Sequence, residues 1–145
     1  MQRAPMFGAF NAACAASRCF SDPACLGDAT PIAWVLMPDH LHVLLQLGQR
    51  DSLANVVGRL KASSARAVNA VLRQRGAVWS RGFHDHAMRS DESMETIARY
   101  IIANPIRAGL VERAGDYPFW NTTFLCDADF LSMQETHKGD RGWFL

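Results

Sequence analysis

A chain of 145 residues, 49% hydrophobic and 20% charged, has the length of one domain and the composition of an ordinary globular protein. No apolar run approaches the roughly 18 residues that propose a membrane span, which sets membrane-spanning functions aside. The formal net charge of +1 by itself neither points to a polyanionic partner nor excludes one.

From the N-terminus, Arg3 stands ahead of a mostly apolar, alanine-rich stretch that superficially resembles a secretory leader. Asn11 interrupts that run, and Phe7, Phe10 and Cys14 recur at three- and four-residue spacing. That pattern predicts an amphipathic helix over about residues 5–20 instead. Cys14, Cys19, Cys25 and Cys126 show no CxxC spacing, which favours reduced thiols in a cytosolic chain over a disulfide framework or zinc knuckle. Turns are predicted at Ser21-Asp22-Pro23 and between Gly27 and Pro31. Ile32 to Met37 and His40 to Leu47 then read as a hairpin around Pro38-Asp39, because proline presets φ for a tight turn.

Asp51 or Ser52 is placed to cap a long helix running to about Arg73. Its apolar positions Leu53, Val56, Val57, Leu60, Val68 and Leu72 keep a helical period. Ala77 to Met88 reads as a further extended segment with Gly82 as a bend. Ser90 or Asp91 is expected to cap a helix through about Ala103, ended by Pro105, which disfavours helical geometry at Asn104. No repeat, linker or low-complexity segment divides residues 1–145. The stretch after Asp127 carries weak signals and reads as an appendage.

Charge is unevenly distributed. Arg50, Arg59, Lys61, Arg66, Arg73 and Arg75 face the single acid Asp51 across the middle of the chain, whereas five acids and two bases follow Ala114. A basic middle and an acidic tail fit a phosphate backbone, and they fit a solvated helix face nearly as well.

The most informative short pattern is His40-Leu41-His42. Strand side chains alternate faces, so His40, His42, Leu44 and Gln46 share one face while Leu41, Val43, Leu45 and Leu47 share the other. Two same-face residues lie roughly 6.5 to 7 Å apart at Cα, from which converging imidazoles can grip one divalent ion. Downstream, Tyr100 and Asn104 stand four apart, on one face if the last helical turn persists.

Together with Val78-Trp79-Ser80-Arg81-Gly82-Phe83-His84-Asp85-His86, Asn104-Pro105-Ile106-Arg107 and Gly115-Asp116-Tyr117-Pro118-Phe119-Trp120, these segments resemble the small single-tyrosine HUH (His-hydrophobic-His) transposases. The nearer resemblance is to the REP-associated tyrosine transposases of bacteria, and it covers about residues 30–125. It implies an α+β, ferredoxin-like antiparallel sheet with helices packed on it. It also implies metal-dependent cleavage and transfer of single-stranded, hairpin-forming DNA. On this resemblance His40, His42 and Asn104 hold Mg²⁺ or Mn²⁺, and Tyr100 is the nucleophile that forms a 5′-phosphotyrosine link. Arg59, Lys61, Arg66, Arg73 and Arg81 track phosphates, and His84 and His86 contact DNA. Arg107 either meets phosphate or ties down the turn after the catalytic helix, and Trp79, Phe83 and Trp120 either stack on bases or fill the core. Tyr117, with no metal-ligand partner four residues on, is expected to be structural.

The resemblance is incomplete at one point, since family members open with a strand before the first helix and none is read here. The sheet is therefore expected to expose a neighbouring edge, open or covered in a homodimer. A hairpin-binding relative without catalysis is the alternative reading. An unrelated zinc hydrolase using His40, His42, His84 and His86 is another. The expected location is the cytoplasm.

Overall fold

A computed structural model describes residues 5–89 and 91–124. The elements are α1 (Phe10–Ser17), a 3₁₀ turn (Arg18–Ser21), α2 (Pro23–Leu26), β1 (Thr30–Leu36), β2 (Leu41–Gln46), α3 (Leu53–Leu72), α4 (Met94–Ile102), α5 (Asn104–Arg107), a second 3₁₀ turn (Ala114–Asp116) and β3 (Trp120–Thr122). The expected tail and Cys126 lie outside the described residues.

The three strands form one antiparallel sheet in the order β2-β1-β3. The hairpin is closed by the Met37 N–H donating to the His40 carbonyl at 2.8 Å, and its register pairs Val35 with His42 and Ala33 with Leu44. The register shifts between Pro31 and Ala33. A bulge there suits a proline that has no N–H for the ladder at the start of a strand.

Helices cover both faces. Trp34, Leu36 and Leu41 join Val56, Leu60 and Val68 of α3 and Ala12, Ala13 and Ala16 of α1 in the larger core, with Val43 and Leu45 packed against it. On the opposite face Ala33, Val35, Met37 and Leu44 meet Ala98, Ile101 and Ile102 of α4. The alternation along β1 and β2 thus divides one apolar run between two layers.

The long helix matches its expected span, with the Ser52 hydroxyl accepting the Asn55 N–H at 3.2 Å as N-cap. The opening helix does not. It is broken into α1, a 3₁₀ turn and α2, the last started by Pro23 with Asp22 accepting from the Ala24 N–H. Its buried stripe is alanine, which allows close approach to α3, while Phe10 is 68% exposed. The fourth helix begins at Met94 behind Ser93, not behind Ser90 or Asp91. Residues 77–88 contain no strand. The short β3, unmarked by any periodicity, supplies the third strand instead.

Candidate active site

His42 is 1% exposed, and the alternation of β2 turns its side chain to the sheet face that α4 covers. His40 lies just ahead of the strand on the same parity. Their Nε2 atoms stand 2.9 Å apart, the rings nearly perpendicular with centroids 4.7 Å apart. On its other side, His40 Nδ1 meets Asp39 Oδ1 at 2.6 Å. A carboxylate there holds the proton on Nδ1 and directs the Nε2 lone pair outward, the arrangement that commonly supports a metal-ligating histidine. Sequence reasoning assigned Asp39 only to the turn. Its position directly before His40 was the available signal.

Tyr100 sits on α4, and Asn104 opens α5. Between them Ile101 packs on Val35, which pairs with His42 across the hairpin. Pro105 has no N–H to give the Ile101 carbonyl four residues back. The Asn104 side-chain amide fills that place, Nδ2 donating to the Ile101 oxygen at 2.7 Å. The helix break therefore fixes which way the amide points, leaving Oδ1 as its lone-pair end. Asn104 is helical, contrary to the expectation from Pro105, because a new four-residue turn starts on it.

Arg107 closes this unit. Its guanidinium carbon lies 4.0 Å from the Tyr100 ring centroid, and Nη2 donates to the Tyr100 carbonyl at 2.7 Å. Of the two expectations for Arg107, these contacts match the one that ties down the turn.

The residues present fit a divalent ion. Two ligands each about 2.1 Å from an octahedral ion and about 90° apart stand about 3.0 Å from one another, close to the observed Nε2 separation. Two imidazole nitrogens and one amide oxygen are a mixed donor set that leaves positions for phosphate oxygens. No group of three or more His, Cys, Asp or Glu side chains capable of holding a metal occurs among the described residues. His84 and His86 accordingly do not join His40 and His42 in the four-histidine zinc arrangement. Both are exposed, and partial desolvation holds the His86 imidazole below its ordinary pKa.

The expected phosphate-tracking cations divide into two sets. Arg59 is engaged by the protein, bidentate to Asp51 at 2.9 and 2.8 Å and donating to the Cys25 and Leu26 carbonyls. Gly27, at φ 63°, makes room for this pair, since a Cβ would come within 2.3 Å of Asp51 Oδ2. Lys61 donates to the Ser80 carbonyl at 3.2 Å and to the Gly82 carbonyl, fastening the loop that carries Arg81. Arg66, Arg73 and Arg81 are exposed.

Of the aromatics, Trp79 is held in the structure, its indole N–H donating to Ser64 Oγ at 2.9 Å and its ring 4.7 Å from Phe7. Trp120 donates to the Ala114 carbonyl. Tyr117 gives its hydroxyl proton to the Leu36 carbonyl, and burial pushes its pKa up to about 12. This phenol is structural, as its sequence setting suggests.

A sequence profile of the family described as "Transposase IS200 like" matches residues 19–104. A putative REP-associated tyrosine transposase from Haemophilus influenzae is 31% identical, over 61% of this chain and 56% of its own length. A REP-associated tyrosine transposase from Escherichia coli K12 is 28% identical, over 60% of this chain and 50% of its own. The chain thus spans about half the length of the curated relatives it matches. Among solved structures, that of a REP-associated tyrosine transposase bound to a REP hairpin aligns with a TM-score of 0.65 at 21% identity. The alignment covers 96% of this chain and 79% of the other. The likeness establishes a shared α+β fold.

Proposed function

The chain belongs to the IS200-like transposase family, and from that premise we propose that it is a metal-dependent single-stranded DNA endonuclease and strand transferase acting on hairpin DNA. The observation that carries the proposal is the converging Nε2 pair of His40 and His42. It lies on the same sheet face as the α4–α5 unit that bears Tyr100 and Asn104. His40, His42 and the Asn104 oxygen would hold Mg²⁺ or Mn²⁺. Such an ion, when bound, offsets the charge that develops on the scissile phosphate.

The chain's own residues do the rest. Asp39 orients His40, and the Asn104–Ile101 bond orients the amide. Arg107 holds the Tyr100 ring and backbone. The Tyr100 oxygen attacks phosphorus in line, and a tyrosine–phosphate bond forms as the bond to the 3′ oxygen breaks. The phenol proton is passed on, and the 3′ oxygen leaves as a hydroxyl. The 5′-phosphotyrosine retains the energy of the broken ester, so the reverse attack by a 3′ hydroxyl rejoins strands without a nucleotide cofactor. Exposed Arg66, Arg73 and Arg81 track phosphates, with His84 and His86 on the DNA side. Arg59 and Lys61 support that surface by holding its backbone in place.

The three described strands fit part of a ferredoxin-like antiparallel sheet. The free thiols Cys14, Cys19 and Cys25 and a DNA substrate support a cytoplasmic location. No helix among the described residues is long and apolar enough to cross a membrane. One second reading is a relative that binds hairpins without cutting them, since the exposed Arg66, Arg73 and Arg81 serve binding alone as well as they serve cleavage.

Incubation of labelled single-stranded hairpins with Mg²⁺ or Mn²⁺, resolved on denaturing gels, separates the two. The nuclease reading expects a metal-dependent protein–DNA adduct, lost in Tyr100→Phe and His42→Ala. Hairpin binding with no adduct in any metal would overturn it and leave the binding module.

A further inference from the structure

At the end of α3 the Arg73 N–H donates to the Ala70 carbonyl at 3.3 Å and the Gln74 N–H to the Asn69 carbonyl at 3.0 Å, the paired bonds of a Schellman motif. That motif puts its closing residue in the left-handed region, where glycine is the usual occupant. Here the position is Arg73, at φ 52° and ψ 41°, and no other residue except glycine has a positive φ among the described residues. The Cβ of an L-residue crowds the following carbonyl in this conformation. The arginine therefore stands where the backbone alone favours glycine.

The chain beyond is pinned to the helix. Asn69 Nδ2 donates to the Gly76 carbonyl at 2.9 Å. Gln74 Nε2 donates to Asn69 Oδ1 at 3.2 Å and to Met6 Sδ at 3.6 Å. Gln74 is thereby turned back onto α3, between Arg73 and Arg75, which are both exposed. No hydrogen bond or ion pair engages either guanidinium among the described residues. Arg66 stands seven residues before Arg73, two helical turns and about 10 Å along the same stripe of α3. No acidic residue occurs in the sequence from Ser52 to His84. A cation serving only the helix dipole could stand in the last turn of α3 without strain, and none is there.

We propose that the exit of α3 is a phosphate clamp, in which Arg73 and Arg75, with Arg66 along the helix, grip neighbouring phosphates of the DNA backbone. Arg73 keeps its strained conformation because glycine, which fits the turn better, carries no guanidinium. A pinned loop loses little freedom when it meets a strand, so its planar donors act as a preformed fork. The inference rests on the DNA-binding part of the proposed function and not on cleavage. It adds Arg75 to the phosphate-tracking set and assigns a cause to the backbone strain at Arg73.

The test measures DNA binding by fluorescence anisotropy across a salt series, and thermal unfolding without DNA, for the full chain and for Arg73→Gly, Arg73→Ala and Arg75→Ala. Each substitution is expected to weaken binding about fivefold to tenfold near about 0.1 M salt, and to lower the salt slope by about one phosphate contact. Arg73→Gly is expected to unfold about 3 °C above Arg73→Ala, since both lose the charge and only glycine relieves the backbone. A blunt hairpin and an unstructured single strand of equal length serve as the two probes. The probe on which the variants lose affinity identifies the stem or the flanking strand as the source of the phosphates. Binding at the parent level by Arg73→Gly and Arg75→Ala on both probes would overturn the inference while leaving the DNA reading in place. A parent chain that binds neither probe would overturn both. Unfolding of Arg73→Gly at or below the midpoint of Arg73→Ala would also overturn the inference, because the conformation would then carry no strain to explain.

Discussion

Asp39 offers a sharp perturbation of the proposed metal centre because it touches only the remote nitrogen of one ligand. Its Oδ1 lies 2.6 Å from His40 Nδ1, a separation at the short end for an N–H donor to a carboxylate. Partners of this kind change metal affinity by about 10- to 100-fold when removed. The Asp39 side chain is 42% exposed and that of His40 22%, so solvent screening places the effect at the lower end. Asp39→Ala is therefore expected to weaken Mn²⁺ binding about tenfold, or about 1.4 kcal/mol. Asp39→Asn keeps an acceptor but loses the charge, and is expected to fall between the parent and Asp39→Ala. Titration of Mn²⁺ followed by electron paramagnetic resonance reads both, with His42→Ala as the reference for a lost ligand. Affinity in Asp39→Ala indistinguishable from the parent, alongside clear loss in His42→Ala, would refute the orienting role.

Four further outcomes follow from the structure. Tyr117→Phe removes the bond to the Leu36 carbonyl and should cost about 1 kcal/mol in urea unfolding while leaving adduct formation intact. Arg66→Ala is expected to preserve stability and reduce the salt dependence of DNA binding by about one phosphate contact. Arg59→Ala, by contrast, should lower the thermal midpoint in the absence of DNA. The Asp51 carboxyl is held below its ordinary pKa chiefly by the hydrogen bond from Arg59, and Asp28 likewise by the Arg50 backbone N–H. A depressed carboxylate stabilises the fold above its unfolded pKa, and that contribution is lost as pH falls through the folded value. Unfolding midpoints should therefore drop on the acid side of the ordinary carboxylate range, and Asp51→Asn should flatten that drop. An unchanged acid slope in Asp51→Asn would contradict the assignment.

Periodicity and turn chemistry made the hairpin and the long helix readable to within a residue or two. Ser52, the Leu53–Leu72 pattern and Pro38-Asp39 all act locally. The opening helix misled because alanine packs well without marking a stripe: Phe7 is buried but lies ahead of the helix, Phe10 is exposed, and the helix's buried face belongs to Ala12, Ala13 and Ala16. Alternation over Ala77 to Met88 was real, but a strand also needs a ladder partner, which side-chain pattern alone does not reveal. Conversely, β3 is only three residues long and leaves no period to detect. At the candidate site, the spacing of His40, His42, Tyr100 and Asn104 was visible, since it follows from strand and helix repeats. Asp39 as an orienting group, and the commitment of Arg59 to Asp51 and of Lys61 to the Ser80–Gly82 backbone, depend on distant partners that counts of charge do not identify.

The central claim is that Tyr100 becomes covalently attached to DNA through the metal-dependent action of the His40–His42–Asn104 face. Peptide mapping by mass spectrometry after reaction with a single-stranded hairpin and Mn²⁺ tests it most directly. The account predicts a nucleotide phosphate on the peptide containing Tyr100 and none on the peptide containing Tyr117, with the modification absent when the metal is chelated. A phosphate adduct on Tyr117, or strand cleavage that persists in Tyr100→Phe, would contradict it.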